Sequence, residues 1–155
     1  MAKKKRLLYP EGTWFAVPLR TGGFAIGLLA RVAGDGPAFG YFFGPRWKHP
    51  PAVEITRALT PKDAIFVALF GDLGLLNGEW PILGQDLNWN RDVWPLPPFI
   101  RIDEIANEAW KVSYSDQLQV LAEEAIDPTL EKKFPRDRLS GYGAVEIRLT
   151  QLLEG

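Results

Sequence analysis

The stretch Gly12-Thr-Trp-Phe-Ala-Val-Pro-Leu-Arg-Thr-Gly-Gly-Phe-Ala-Ile-Gly-Leu-Leu-Ala-Arg31 sets two apolar runs on either side of Arg20-Thr21-Gly22-Gly23. Paired glycines accept the positive φ of a tight reversal, so the pattern predicts a β-hairpin with strands over 14–19 and 23–32. Alternation then groups Phe15, Val17 and Leu19 on one face of the first strand, and Phe24, Ile26, Leu28, Ala30 and Val32 on one face of the second. The opposite faces carry Trp14, Ala16 and Pro18, then Ala25, Gly27, Leu29 and Arg31. They too are apolar until the ends. A hairpin apolar on both faces has to be covered on both, which places it at the centre of a curled sheet or small barrel.

Working outward, Gly34-Asp-Gly-Pro37 is a turn, and 38–43 reads as a third strand with Phe39, Tyr41 and Phe43 on one face. Gly27 and Gly40 inside neighbouring strands predict either sharp curvature or a bulky side chain lying across bare backbone, with tryptophans from elsewhere as the expected occupants. Gly44-Pro-Arg-Trp-Lys-His-Pro-Pro51 reads as irregular and carries Trp47 and the single histidine, His49. Thr60-Pro61-Lys62-Asp63 has the cap and proline of a first helical turn, followed by a strand within 64–70 or a continuing helix, with the strand favoured. Asn77-Gly78 predicts a hairpin returning along 80–83. The run 84–98 is polar and Pro-rich, yet holds Trp89 and Trp94. Trp94, just ahead of a proline run, reads as a lid on the core; Trp89 reads equally as a lid or as a ring offered to a partner.

Further on, 99–102 alternates as a strand, Asp103-Glu104-Ile105 starts a short helical turn, and 110–114 is again a strand. Residues 118–122 either pair back with it or belong to a helix over 116–125. The charged segment 127–141, broken by Pro128 and Pro135, reads as surface loop. The final segment from Gly143 places Val145, Leu149 and Leu152 at helical spacing, with Glu146 and Thr150 off that face, and predicts a helix packed on the sheet. The fold class is therefore α+β: a strongly bent, mainly antiparallel sheet or partly open β-barrel with a C-terminal helix.

At 155 residues the chain is one domain by length, with residues 1–10 expected to be a flexible basic terminus ahead of a domain over 11–155. Cysteine is absent, which removes disulfides, thiolate metal sites and cysteine nucleophiles and fits a reducing compartment, the cytoplasm by default. No apolar run has the length of a signal peptide or a membrane span. Net charge is −1, but setting aside Lys3, Lys4, Lys5 and Arg6 leaves fourteen Lys and Arg against nineteen Asp and Glu. A mildly acidic body argues against a large phosphate-binding face, and Arg46, Trp47, Lys48 and His49 form only a small basic patch.

The motifs of phosphate-cradling loops, zinc hydrolases and serine hydrolases are missing. Among plentiful acidic residues, Asp86 with Asp92 could in principle form a carboxylate pair for acid–base work or a divalent cation, but the spacing resembles no calcium loop and solvated loop carboxylates are the commoner explanation.

Gly12-x-Trp-Phe-Ala-Val-Pro-Leu, then Gly23-Phe-Ala-x-Gly27 and Leu29-Ala-Arg31, resembles the opening of the immunity protein 26 family of bacterial polymorphic toxin systems. Gly78-x-Trp80-x-Ile-x-Gly84 and the segment from Trp94-Pro to Pro98-Phe are similar to that family's middle part. The resemblance spans 12–102, and implies a small cytoplasmic α+β protein that binds a cognate toxin domain, without catalysis and without a cofactor. It carries over no site residue, because the shared glycine and aromatic positions are fold-forming. A binding surface needs aromatic anchors inside a polar rim. The two irregular loops offer Trp47 from the first, and Asp86, Asn88, Trp89, Asn90, Arg91 and Asp92 from the second, as candidate partner-binding residues. The competing functional readings are a nucleic-acid- or peptide-binding barrel module and a hydrolase using loop carboxylates.

Overall fold

The computed structural model describes residues 9–34 and 37–154; the basic residues Lys3 to Arg6 lie outside that range. The predicted hairpin forms as β1 (Thr13–Pro18) and β2 (Phe24–Val32), with Phe15 opposite Gly27 and Trp14 opposite Leu28. Its turn closes by Gly22 N–H donating to the Leu19 carbonyl at 3.1 Å. β3 (Ala38–Trp47) pairs with β2, and β4 (Phe66–Phe70) pairs with β3. β5 (Ile82–Gln85) adds to the outer side of β1, and β9 (Leu139–Ser140) runs parallel to β4 at the other edge. The order of this six-stranded sheet is β5-β1-β2-β3-β4-β9. A second sheet holds β6 (Phe99–Asp103), β7 (Glu108–Tyr114) and β8 (Val120–Ile126). A one-turn helix, α1 (Leu73–Leu76), and a longer one, α2 (Tyr142–Leu153), complete the fold.

Both hairpin faces are covered, as their apolar pattern requires. On one side Phe15, Val17, Ala25 and Leu29 meet Trp80 and the α2 residues Val145 and Leu149. On the other Trp14, Ile26, Leu28 and Ala30 meet Trp94 and Phe99, which brings in the second sheet. Register shifts between Trp14 and Phe15, and between Leu29 and Arg31, bend the main sheet. Bending does not close it. β5 and β9 remain separate edges, so the architecture is α+β with an open, strongly bent sheet and no barrel.

The bulge at Ala30 changes the side to which Arg31 points. Plain alternation puts Arg31 with Ala25, Gly27 and Leu29, but its register partner is Phe39, whose ring lies in the second core. One extra residue thus carries a guanidinium into the space between the two sheets.

The rings over Gly27 and Gly40 are phenylalanines rather than the expected tryptophans. A Cβ on Gly27 would stand 2.3 Å from Phe15 Cε2, and one on Gly40 2.9 Å from Phe70 Cε1. Phe15 cannot yield, being stacked on Trp80 at 5.5 Å and packed edge-on against Phe42 at 6.0 Å. Gly27→Ala is therefore expected to cost about 1–3 kcal/mol as overpacking. Its chemical-denaturation midpoint would show this; an unchanged midpoint would mean that the Phe15 ring moves aside freely.

Several segments differ from their sequence reading. β3 continues through Gly44-Pro-Arg to Trp47, so the first half of the supposed irregular loop is strand. Asn77-Gly78 does not join paired strands: it ends α1, and Trp80 N–H donates back to the Gly74 carbonyl at 3.0 Å, after which β5 departs to β1. Burial of Trp80 beneath the sheet overrides the local hairpin preference of Asn-Gly. Asp103 belongs to β6, and the residues after it form the tight turn to β7, held by its carboxylate accepting from the Ile105 and Ala106 amides. Residues 118–122 fall in the turn and strand that pair back on β7, not in a helix. The charged stretch 127–141 contains a 3₁₀ turn, Pro128–Lys133, as well as β9. In α2, Leu152 is exposed while Glu146 and Thr150 are buried. Their partners explain it: Glu146 accepts from Trp80 Nε1 at 2.9 Å and from Arg20 Nε at 3.1 Å, and Thr150 Oγ1 accepts from the Arg20 amide at 2.9 Å. As expected, Thr60-Pro61-Lys62-Asp63 forms one turn, of 3₁₀ type, and β4 follows it.

Candidate partner-binding site

The loop between β5 and β6 is fixed before it displays anything. Gln85 Nε2 donates to Thr13 Oγ1 at 2.6 Å and the Asp86 amide donates to the Gly12 carbonyl at 2.8 Å, which tie the start of the loop to β1. Asp86 Oδ1 accepts from the Asn88 amide at 3.0 Å, and Asn90 Oδ1 from the Asp92 amide at 3.0 Å. Short polar side chains of this kind fold the backbone on itself without help from a sheet. The half-buried Trp89 ring lies on Gly12, where an added Cβ would stand 3.1 Å from it, and its Nε1 donates to Glu11 at 3.4 Å. At the far end Trp94 drops into the second core, edge-on to Trp14 at 5.8 Å and to Tyr41 at 5.1 Å. The Tyr41 hydroxyl donates to the Pro95 carbonyl. Burial pushes the Tyr41 phenol up to about 12, so it stays a donor across the physiological range.

Four charges brace the loop from behind. Arg91 donates through Nε and Nη2 to both oxygens of Glu11, each at 2.7 Å. Its Nη1 lies 3.5 Å from Asp116 Oδ2, while Asp116 Oδ1 accepts from Arg31 Nε at 2.8 Å. Arg31 also donates to the Ala30 carbonyl at 2.7 Å. The chain Glu11–Arg91–Asp116–Arg31 thereby joins the start of β1, the loop, the β7–β8 turn and the β2 bulge.

The hydrogen bond from Arg31 holds the Asp116 carboxyl below the usual carboxylate range, with the charge of Arg31 and of Arg91 adding to it. A carboxyl with a folded pKa below its unfolded one adds stability above the unfolded value, near pH 4, and loses it as pH falls through the folded value. Asp116→Asn should therefore flatten the acid limb of a stability-versus-pH curve as pH falls below the ordinary carboxylate range. The effect stays below about 1 kcal/mol because the carboxylate is half in water. A variant with the wild-type acid limb would contradict this.

With its ends pinned, the loop presents Leu87, 85% exposed, and Val93, 53% exposed. They stand beside a cleft of about 860 Å³ between the loop and the 3₁₀ turn Val53–Ala58. Trp14, Trp94 and Val53 supply its apolar lining, and Glu54, Arg57 and Asp86 its charged groups. Such an arrangement accepts a protruding apolar side chain of another macromolecule and can hydrogen-bond around it.

Of the residues singled out in the sequence, Asp86 and Asn88 line this cleft, and Asn90 and Asp92 are exposed on the same loop. Trp89 and Arg91 are turned to holding the loop. Trp47 is elsewhere, beside Phe24 at the end of β3 and half-buried against the second core. The basic patch around it is partly occupied, since Arg46 Nη1 donates to Thr21 Oγ1 and the Gly22 carbonyl at 2.8 and 2.7 Å, while His49 is exposed. Sequence reasoning missed Leu87, Val93, Glu54 and Arg57. An isolated Leu inside Gln-Asp-Leu-Asn was the available signal.

Among the described residues no group of three or more His, Asp or Glu side chains could hold a metal ion, and no helix is long and apolar enough to cross a membrane. The family model described as Immunity protein 26 matches residues 10–111. The chain belongs to the immunity protein 26 family. No curated protein and no solved structure matches it. The residues matched to immunity protein 26 cover β1 to β6 and part of β7, and so contain the whole β5–β6 loop and its cleft. Asp116, β8, β9 and α2 lie beyond the family match.

Proposed function

We propose that this chain neutralises a cognate bacterial toxin domain by binding it, without catalysis, in the cytoplasm of the cell that makes both. Membership of an immunity-protein family supports the role, and the cysteine-free composition suits a reducing compartment. The observation that carries the site is the division of labour in the β5–β6 loop. Trp89, Arg91 and Trp94 are committed to anchoring, which leaves Leu87 and Val93 held in water above an aromatic-floored cleft. Exposed apolar side chains on a preorganised loop lose little entropy on binding, which is the economy a tight protein inhibitor needs.

The residues around the cleft mix Glu54 and Asp86 with Arg57, so a nucleic-acid strand would meet no continuous positive track there. Co-expression with the toxin domain encoded beside this chain's gene tests the proposal. Growth should be restored and the two proteins should co-purify. Full toxicity in the presence of folded protein would contradict it.

A further inference from the structure

A second cleft, of about 710 Å³, opens at the opposite edge of the main sheet, between β4, β9, α2 and the chain that follows Pro128–Lys133. Its lining includes Lys132, Lys133, Arg136, Arg138 and Arg148, five of the eighteen Lys and Arg of the chain, and no Asp or Glu. Among the described residues, the neighbouring acids pair with Arg136 alone of these five, at 3.6 Å from Glu104 and 3.8 Å from Glu131. The net charge of −1 conceals this segregation. Between the cations the lining is apolar, with Ile65, Phe66, Val67 and Phe134 among its members.

We infer that this cleft is a docking site for an acidic peptide segment of a partner protein, one that carries an apolar side chain between its carboxylates. Five cations around one concavity attract a compact anion and repel basic surfaces. The apolar lining between them rewards a hydrocarbon side chain, which a phosphate backbone does not supply. A nucleic-acid strand is held along an extended positive track with flat aromatic faces for its bases. Here the cations line a single cleft, four of them from 132–138 and the fifth, Arg148, from α2. All five lie beyond residue 111, outside the family match, and the cleft is at the sheet edge opposite to the one that carries the β5–β6 loop. The site is therefore additional to the toxin-binding surface proposed above and stands independently of it.

The test uses fluorescence anisotropy on the full chain with three labelled probes. One is a synthetic peptide of Asp and Glu with a central Leu, the second the same peptide with Gly for Leu, and the third a single-stranded oligonucleotide of equal charge. The Leu peptide should bind about tenfold more tightly than the other two, and its affinity should fall as salt is raised. Lys133→Glu combined with Arg148→Glu should weaken it by about tenfold or more. Both positions are exposed, and a thermal melt matching the wild type will show that the variant is folded. Lys132→Ala, a milder change, should weaken binding by a smaller factor. Absence of binding, equal affinity for the double variant and the wild type, or preference for the oligonucleotide would each overturn the inference. None of these readouts involves the toxin.

Discussion

Trp80→Ala is expected to lower unfolding stability by about 3–5 kcal/mol, the range for removing a fully buried large aromatic side chain. Trp80 is 1% exposed and is stacked on Phe15 with 11° between the ring planes, so its removal opens a cavity under the centre of the main sheet. It also contacts Phe70 at 5.7 Å, while Gly74 lies so close to its ring that a Cβ there would be 2.8 Å away. The truncation has a second consequence. The buried Glu146 carboxylate loses the indole donor and, among the described residues, keeps only Arg20 as a side-chain partner. A charge left short of donors in a buried place is costly. Against a typical total of about 5–15 kcal/mol, this one change should leave the protein marginal or unfolded.

Trp80→Phe separates the two contributions. It keeps much of the ring and drops the N–H, so it should lose about 1–3 kcal/mol. Urea titrations of both variants provide the measurement. If Trp80→Phe equals the wild type, the indole–carboxylate bond contributes nothing, and the burial of Glu146 needs a different cause.

The second large effect concerns binding. Leu87→Asp should weaken toxin binding by about 30- to 100-fold, roughly 2–3 kcal/mol, with the thermal midpoint unchanged. Leu87 is 85% exposed in the free protein, so its side chain contributes almost nothing to the fold. An aspartate there would put an unpaired carboxylate against whatever apolar surface the leucine covers. Val93→Asp, beside the same cleft, should act in the same direction but less strongly, since the valine is smaller and already partly covered. Affinities measured by titration calorimetry on the purified pair decide the matter. Wild-type affinity for both variants would move the contact surface away from this loop.

Much of the fold was legible because the hairpin writes its own pattern. Strict alternation with large apolar residues on both faces allows little besides a central hairpin, and Phe39, Tyr41 and Phe43 extend it by the same rule. Trp94 could be read as a lid because the prolines behind it lead directly into a strand that must be buried. What stayed hidden depends on partners far away along the chain. Nothing near Glu146 announces that Trp80, sixty-six residues earlier, offers it an N–H, so helical periodicity assigns a carboxylate to water. Arg31 faces the second core only because the strand bulges at Ala30, and a bulge has no composition of its own when no glycine marks it.

The candidate site shows the same division. The loop was conspicuous as polar, proline-rich and tryptophan-bearing. Which of its residues face water was decided by Glu11, eighty residues from Arg91 and close to it only after β5 has paired with β1. The basic cleft was invisible for a different reason. Its cations are scattered over 132–148, interrupted by Asp137 and Glu146, and the parallel pairing of β9 with β4 helps gather them on one side.

Hydrogen exchange of the chain, alone and in complex with its co-purified toxin domain, tests the central claim most directly. Amides over 53–59 and 86–93 should become protected on binding, with the largest change around Leu87. Protection confined to other segments, with both of these exchanging as in the free protein, would contradict the account.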